Sequence, residues 1–95
     1  MATKLTDPEI AAALTDLNDW SKVDATLTKT FERPTFPEAI DFVRAVAVEA
    51  ESANHHPDID IRWRKVTFTL STHSEGGLTE LDVALARAID RLAEG

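Results

Sequence analysis

The chain of 95 residues has no cysteine, which excludes a disulfide framework, cysteine-ligated zinc or iron-sulfur sites, and thiol catalysis. It has no long apolar run. Lys4, Asp7 and Glu9 interrupt the stretch from Met1 to Leu14, leaving nothing suited to a signal peptide or a membrane span, so a cytoplasmic protein is expected. Positive charge is scarce, 10 Lys and Arg against 17 Asp and Glu, and a net charge of -7 argues against direct nucleic-acid binding and against an anionic membrane surface. No phosphate-cradling glycine loop and no Gly-x-Ser-x-Gly elbow is present, so Ser71, Thr72 and Ser74 read as strand-end hydroxyls rather than nucleophiles.

What is present is an ordinary globular balance, 43% hydrophobic and 28% charged, in a chain long enough for one core. A single domain over 1–95 follows. Domains of this size bury a modest fraction of their surface, which makes self-association a reasonable expectation.

Thr6 with Glu9, Thr35 with Glu38 and Thr79 with Asp82 each set a hydroxyl three residues before a carboxylate, the reciprocal capping pattern of a helix N-terminus. Pro8 and Pro37 fall in first turns, where a missing amide hydrogen costs little. Apolar spacing then predicts buried stripes Ile10, Leu14, Leu17 on the first helix and Phe36, Ile40, Val43, Ala47, Ala50 on the second. The third, from about Glu80 to Leu92, carries Leu81, Leu85, Ala88, Ile89 and Leu92. A second apolar stripe on the middle helix, Ala39, Phe42, Val46 and Ala47, could pack in the core or face another subunit.

Elsewhere the period is two. Ile59, Ile61 and Trp63 alternate with polar residues, as do Val66, Phe68 and Leu70, predicting a hairpin that turns near Arg64. Thr26 to Glu32 reads as a strand with Ser21 to Asp24 as a short partner, Leu27 and Phe31 facing the core and Lys29 interrupting that face. The fold class is therefore α+β, a four-stranded antiparallel sheet with three helices on one face, in the order α-β-β-α-β-β-α.

His55, His56 and His73 lie at element ends, the first two where a helix must stop before Pro57 and the third after the last strand. Such ends can meet at one rim. Three readings of them compete. A zinc site is conceivable, although adjacent His55 and His56 point in different directions and no helical His-x-x-x-His pair exists. The rings could simply cap the helix and pack under a loop. General acid-base chemistry is the third, because an unperturbed imidazole titrates at about 6.5. Glu51, unfavourably placed by about 0.3–1 kcal/mol at a helix C-terminus, could accept a hydrogen bond from His55 four residues on, or could be a solvated surface group. Asp82 reads first as a capping residue, and Trp20 and Trp63 as core or as walls for a flat heteroaromatic ligand.

Glu51-Ser-Ala-Asn-His55-His56-Pro57, Trp63 after five further residues, Ser71-Thr72-His73 with nine residues between Trp63 and His73, and Asp82 after eight more together resemble the pterin-4a-carbinolamine dehydratase signature. Leu5 to Trp20 and Gly77-Leu78-Thr79 extend that resemblance over nearly the whole chain. It implies the same sheet and helices, and an enzyme that dehydrates 4a-hydroxytetrahydropterin to quinonoid dihydropterin without metal or organic cofactor, restoring the cofactor of aromatic amino-acid hydroxylases. It also implies His55 and His73 as acids on the two faces of the 4a carbon and His56 as a pterin-binding residue and N5 base. Glu51 would orient His55, Asp82 would support the site beside His73, Trp20 would wall the pocket, and Ser71 and Thr72 would bind substrate. Relatives form dimers or tetramers around their second helix, so a homodimer or homotetramer is implied. Two other functions come with the resemblance: a dimerisation cofactor or interaction module, and a dehydratase of a related pterin in molybdopterin metabolism. Leu81 replaces an arginine, Ile59 an aromatic and Glu75 a cysteine found in some members; the first two bear on how the outer part of the pterin is held.

Overall fold

A computed structural model describes residues 3–94; Met1, Ala2 and Gly95 of the expected 1–95 domain lie outside the described residues. The elements run α1 (Asp7–Leu14), β1 (Ser21–Val23), β2 (Thr26–Glu32), α2 (Phe36–Ala53), β3 (Asp58–Arg62), β4 (Lys65–Leu70), a single 3-10 turn (His73–Glu75) and α3 (Glu80–Glu94). The strands form one antiparallel sheet in the order β1-β2-β4-β3, so two hairpins are joined through β2 and β4, with Leu27 opposite Leu70 and Phe31 opposite Val66. The α-β-β-α-β-β-α order and antiparallel sheet are those expected.

All three capping pairs form, each differently. Thr6 and Glu9 make the complete reciprocal box; the Thr6 N–H and hydroxyl, in that order of effect, hold the exposed Glu9 carboxyl below its usual 4.5. Thr35 caps α2 through its hydroxyl, which accepts from Glu38 N at 3.2 Å. At α3 the Thr79 hydroxyl accepts from Leu81 N at 3.2 Å, while the Thr79 N–H donates to Asp82 Oδ2 at 2.9 Å.

The core lies between sheet and helices. Phe31, Phe42 and Phe68 meet edge to face with centroids 5.2 to 5.8 Å apart, and Leu17, Leu27, Val46, Val66, Leu70 and Ile89 close around them. Lys29, the interruption on the inner face of β2, is neutralised by Asp90 of α3 at 2.9 Å and lies 4.6 Å from the Phe31 ring centroid.

Two stripes differ in part from the expected ones. On α2 the core-facing residues are Ala39, Phe42, Val46 and Ala50, so of the two roles open to Ala39, Phe42 and Val46 the structure shows core packing. Phe36 at 48% exposure and Ile40 at 40% point outward instead, and Ala47 is exposed. Both rows have helical spacing; the aromatic contacts of Phe42 with Phe31 and Phe68 determine which one packs inward. On α3 Leu85, Ala88 and Ile89 are buried as expected, but Leu81 is exposed and Asp82, Val83 and Ala86 are buried as well, so a carboxylate heads an otherwise apolar face. Trp63 is no strand residue: it occupies the β3-β4 turn at φ 57°, 70% exposed, with the Arg64 guanidinium 4.4 Å from its ring.

Candidate functional site

The end of α2 determines where the first two histidines go. Asn54 takes the left-handed conformation (φ 50°, ψ 42°), its N–H donating to Glu51 O at 3.1 Å while the His55 N–H donates to Ala50 O at 3.0 Å. This is a Schellman termination, and it stops the helix one residue before His55. Helical geometry therefore does not reach from Glu51 to His55. Glu51 Oε1 is instead 2.8 Å from His56 Nε2, five residues on, in an exposed pair.

His55 turns inward. Its Nε2 lies 2.6 Å from Oδ1 of Asp82, which is fully buried at the start of α3. Asp82 Oδ2 accepts from the Thr72 hydroxyl at 2.8 Å and from the Thr79 N–H at 2.9 Å. One carboxylate thus caps a helix with one oxygen and holds a histidine with the other. An ionised carboxylate only accepts, so Nε2 of His55 carries the hydrogen and Nδ1 is left uncommitted. The same reasoning leaves Nδ1 uncommitted on His56.

His73 opens the 3-10 turn directly after Thr72 and is exposed. The C-terminus of α2, the end of β4 and the N-terminus of α3 thereby bring His55, Asp82 and Thr72 together, with His56 and His73 as their immediate chain neighbours. Imidazole rings at such positions can give and take protons. Among the described residues no group of three or more His, Cys, Asp or Glu side chains is arranged to hold a metal ion.

Several expected contacts are arranged differently. Glu51 contacts His56 and not His55, and Asp82 contacts His55 and is fully buried. Thr72 is buried, with its hydroxyl directed at Asp82, and the Ser71 hydroxyl donates to Ala25 O at 2.9 Å. Trp20 is a core residue whose Nε1 donates to Asp90 at 3.0 Å, two helical turns beyond Asp82 or about 12 Å along α3. Thr79, read only as a cap, belongs to the Asp82 network; no signal beyond the capping spacing marked it.

Residues 3–92 match the family model described as pterin 4 alpha carbinolamine dehydratase. A protein of Roseiflexus sp. (strain RS-1), provisionally named a pterin-4-alpha-carbinolamine dehydratase, is 55% identical over 92 residues, covering 97% of this chain and 99% of the relative. One of Nocardia farcinica (strain IFM 10152) with the same provisional name is 58% identical over 89 residues, 94% of each chain. A crystal structure from Brucella melitensis described as a transcriptional coactivator/pterin dehydratase superposes with a TM-score of 0.92 at 39% identity, covering 96% of this chain and 99% of the other. A pterin dehydratase-like protein described as a RuBisCO assembly factor in the alpha-carboxysome reaches a TM-score of 0.64 at 27% identity, covering 78% and 86%. With a family match over nearly its whole length, relatives above half identity and the shared fold, the chain belongs to the pterin-4a-carbinolamine dehydratase family.

Proposed function

We propose that this protein dehydrates 4a-hydroxytetrahydropterin to quinonoid dihydropterin and water by histidine acid-base catalysis, restoring the cofactor of a pterin-dependent aromatic hydroxylase in the cytoplasm. The observation that carries the reading is His55 held on a buried Asp82, beside His56 and next to the Thr72-His73 turn. A ring fixed at one nitrogen presents the other in a defined direction, the requirement for proton transfer in a transition state.

The bond change needs an acid and a base. The C4a–O bond breaks as the hydroxyl takes a proton and leaves as water; the N5 lone pair closes the C4a=N5 double bond as the N5 hydrogen goes to a base. One proton is given and one is taken. Protonated His55 would donate from Nδ1, His73 would serve the opposite face of C4a, and neutral His56, oriented by Glu51, would take the N5 hydrogen through Nδ1. The reaction so written balances with the chain's own side chains.

Spectroscopic loss of 4a-hydroxytetrahydropterin tests the reading. The wild type is expected to exceed the spontaneous rate, and His55→Ala, His56→Ala and His73→Ala each to lose about 100-fold in kcat, within the usual range for one acid-base group. A wild-type rate equal to the spontaneous one contradicts it.

The exposed α2 residues Phe36, Ile40 and Val48 support a homo-oligomer, a second copy covering apolar side chains that a small monomer leaves in water. The same surface favours, as a second reading, the interaction roles in the descriptions of the Brucella melitensis and alpha-carboxysome proteins.

A further inference from the structure

Thr72 engages two histidine-bearing segments at once. Its N–H donates to Gly77 O at 3.0 Å and its carbonyl accepts from Gly77 N at 3.4 Å, a bridge that closes the turn from His73 to Gly76. Its buried hydroxyl lies 2.8 Å from Asp82 Oδ2 and 2.8 Å from the Thr79 hydroxyl.

Hydrogen counting gives these contacts a direction. The Asp82 carboxylate accepts only, so the Thr72 hydrogen goes to it. The Thr79 hydroxyl must then donate to Thr72, and it accepts in turn from the Leu81 N–H at 3.2 Å. The chain runs Leu81 N–H, Thr79, Thr72, Asp82, each hydroxyl donating once and accepting once, and bonds aligned this way polarise one another. At its far end the carboxylate's other oxygen meets His55.

The geometry points to Thr72 as a positioning residue that sets His55 and His73 relative to each other: the backbone anchors the turn that begins at His73, and the hydroxyl orients the carboxylate that holds His55. Neither task requires contact with substrate, and the buried hydroxyl is already committed to Asp82 and Thr79. The kinetic consequence rests on the dehydratase reading above; the structural one does not.

The test compares wild type, Thr72→Val, which keeps the branched shape without the hydroxyl, and Thr72→Ser, which keeps the hydroxyl. One readout is the proton-nitrogen correlation spectrum of the His55 ring. Wild type and Thr72→Ser are expected to show hydrogen on Nε2 with a single sharp ring signal, and Thr72→Val a displaced or broadened one. The other is dehydration kinetics, where Thr72→Val is expected to lose about tenfold or more in kcat with KM within about twofold, and Thr72→Ser to recover most of the loss. Should Thr72→Val not fold, Thr72→Cys, with its weak S–H donor, takes its place. A wild-type His55 spectrum together with a wild-type kcat in the hydroxyl-free variant overturns the proposal, as does Thr72→Ser failing as badly as that variant. If the wild type itself dehydrates nothing, the functional reading fails, and the ring spectra alone then decide the positioning role.

Discussion

Two neighbouring histidines present opposite environments to the same kind of partner. His55 and Asp82 are buried and His56 and Glu51 are exposed, so water competes for the second pair and not for the first. Glu51→Gln is therefore expected to change kcat by less than about tenfold, whereas Asp82→Asn, which places an amide against His55, costs about tenfold to a hundredfold. Parallel steady-state kinetics check the contrast; equal losses would contradict it. The residue types were legible from the sequence, and so were their positions at element ends. The pairing was not, because a four-residue spacing promises contact only where the helix continues, and Asn54 ends it first. Asp82 illustrates a second limit: its capping spacing was explicit, but a cap uses one carboxylate oxygen, and nothing in the chain's order reveals what the other faces.

At the scale of elements, the Schellman turn is the joint on which the site depends. Asn54→Gly is expected to shift stability by only a few tenths of a kcal/mol, since glycine accepts a positive φ, whereas Asn54→Val costs about 1–2 kcal/mol and lowers kcat by displacing both histidines. Denaturant melts beside kinetics measure this, and a Val variant as stable and active as wild type would refute it. Strands and capping pairs could be read from period and spacing, and β2 is found at its expected residues, because alternation on a half-buried strand has one solution. The face of α2 could not be read. Its two apolar rows satisfy the same period, and the choice depends on Phe31 and Phe68, which approach only in the folded chain.

At the scale of the whole molecule, the histidines lie at the end of the domain where α2, β4 and α3 meet, while Lys29, Asp90 and Trp20 join β2 to α3 about two helical turns away. The exposed apolar side chains of α2 offer a separate surface, so association and chemistry can be separated by mutation. Ile40→Glu is expected to lower the molar mass in light scattering at micromolar concentration while leaving the monomer folded; an unchanged mass, or a wild-type protein already monomeric, contradicts the oligomer. Among the described residues no helix is long and apolar enough to cross a membrane.

The central claim is that Asp82 serves the reaction through His55, and a double-mutant cycle tests it directly. Dehydration is measured for wild type, His55→Ala, Asp82→Asn and the combined variant, each checked for folding. If the carboxylate acts by holding the ring, removing it from a chain that has already lost the ring costs little, and the double variant is about as slow as His55→Ala alone. Losses that multiply would mean that the two groups act independently and would contradict the account.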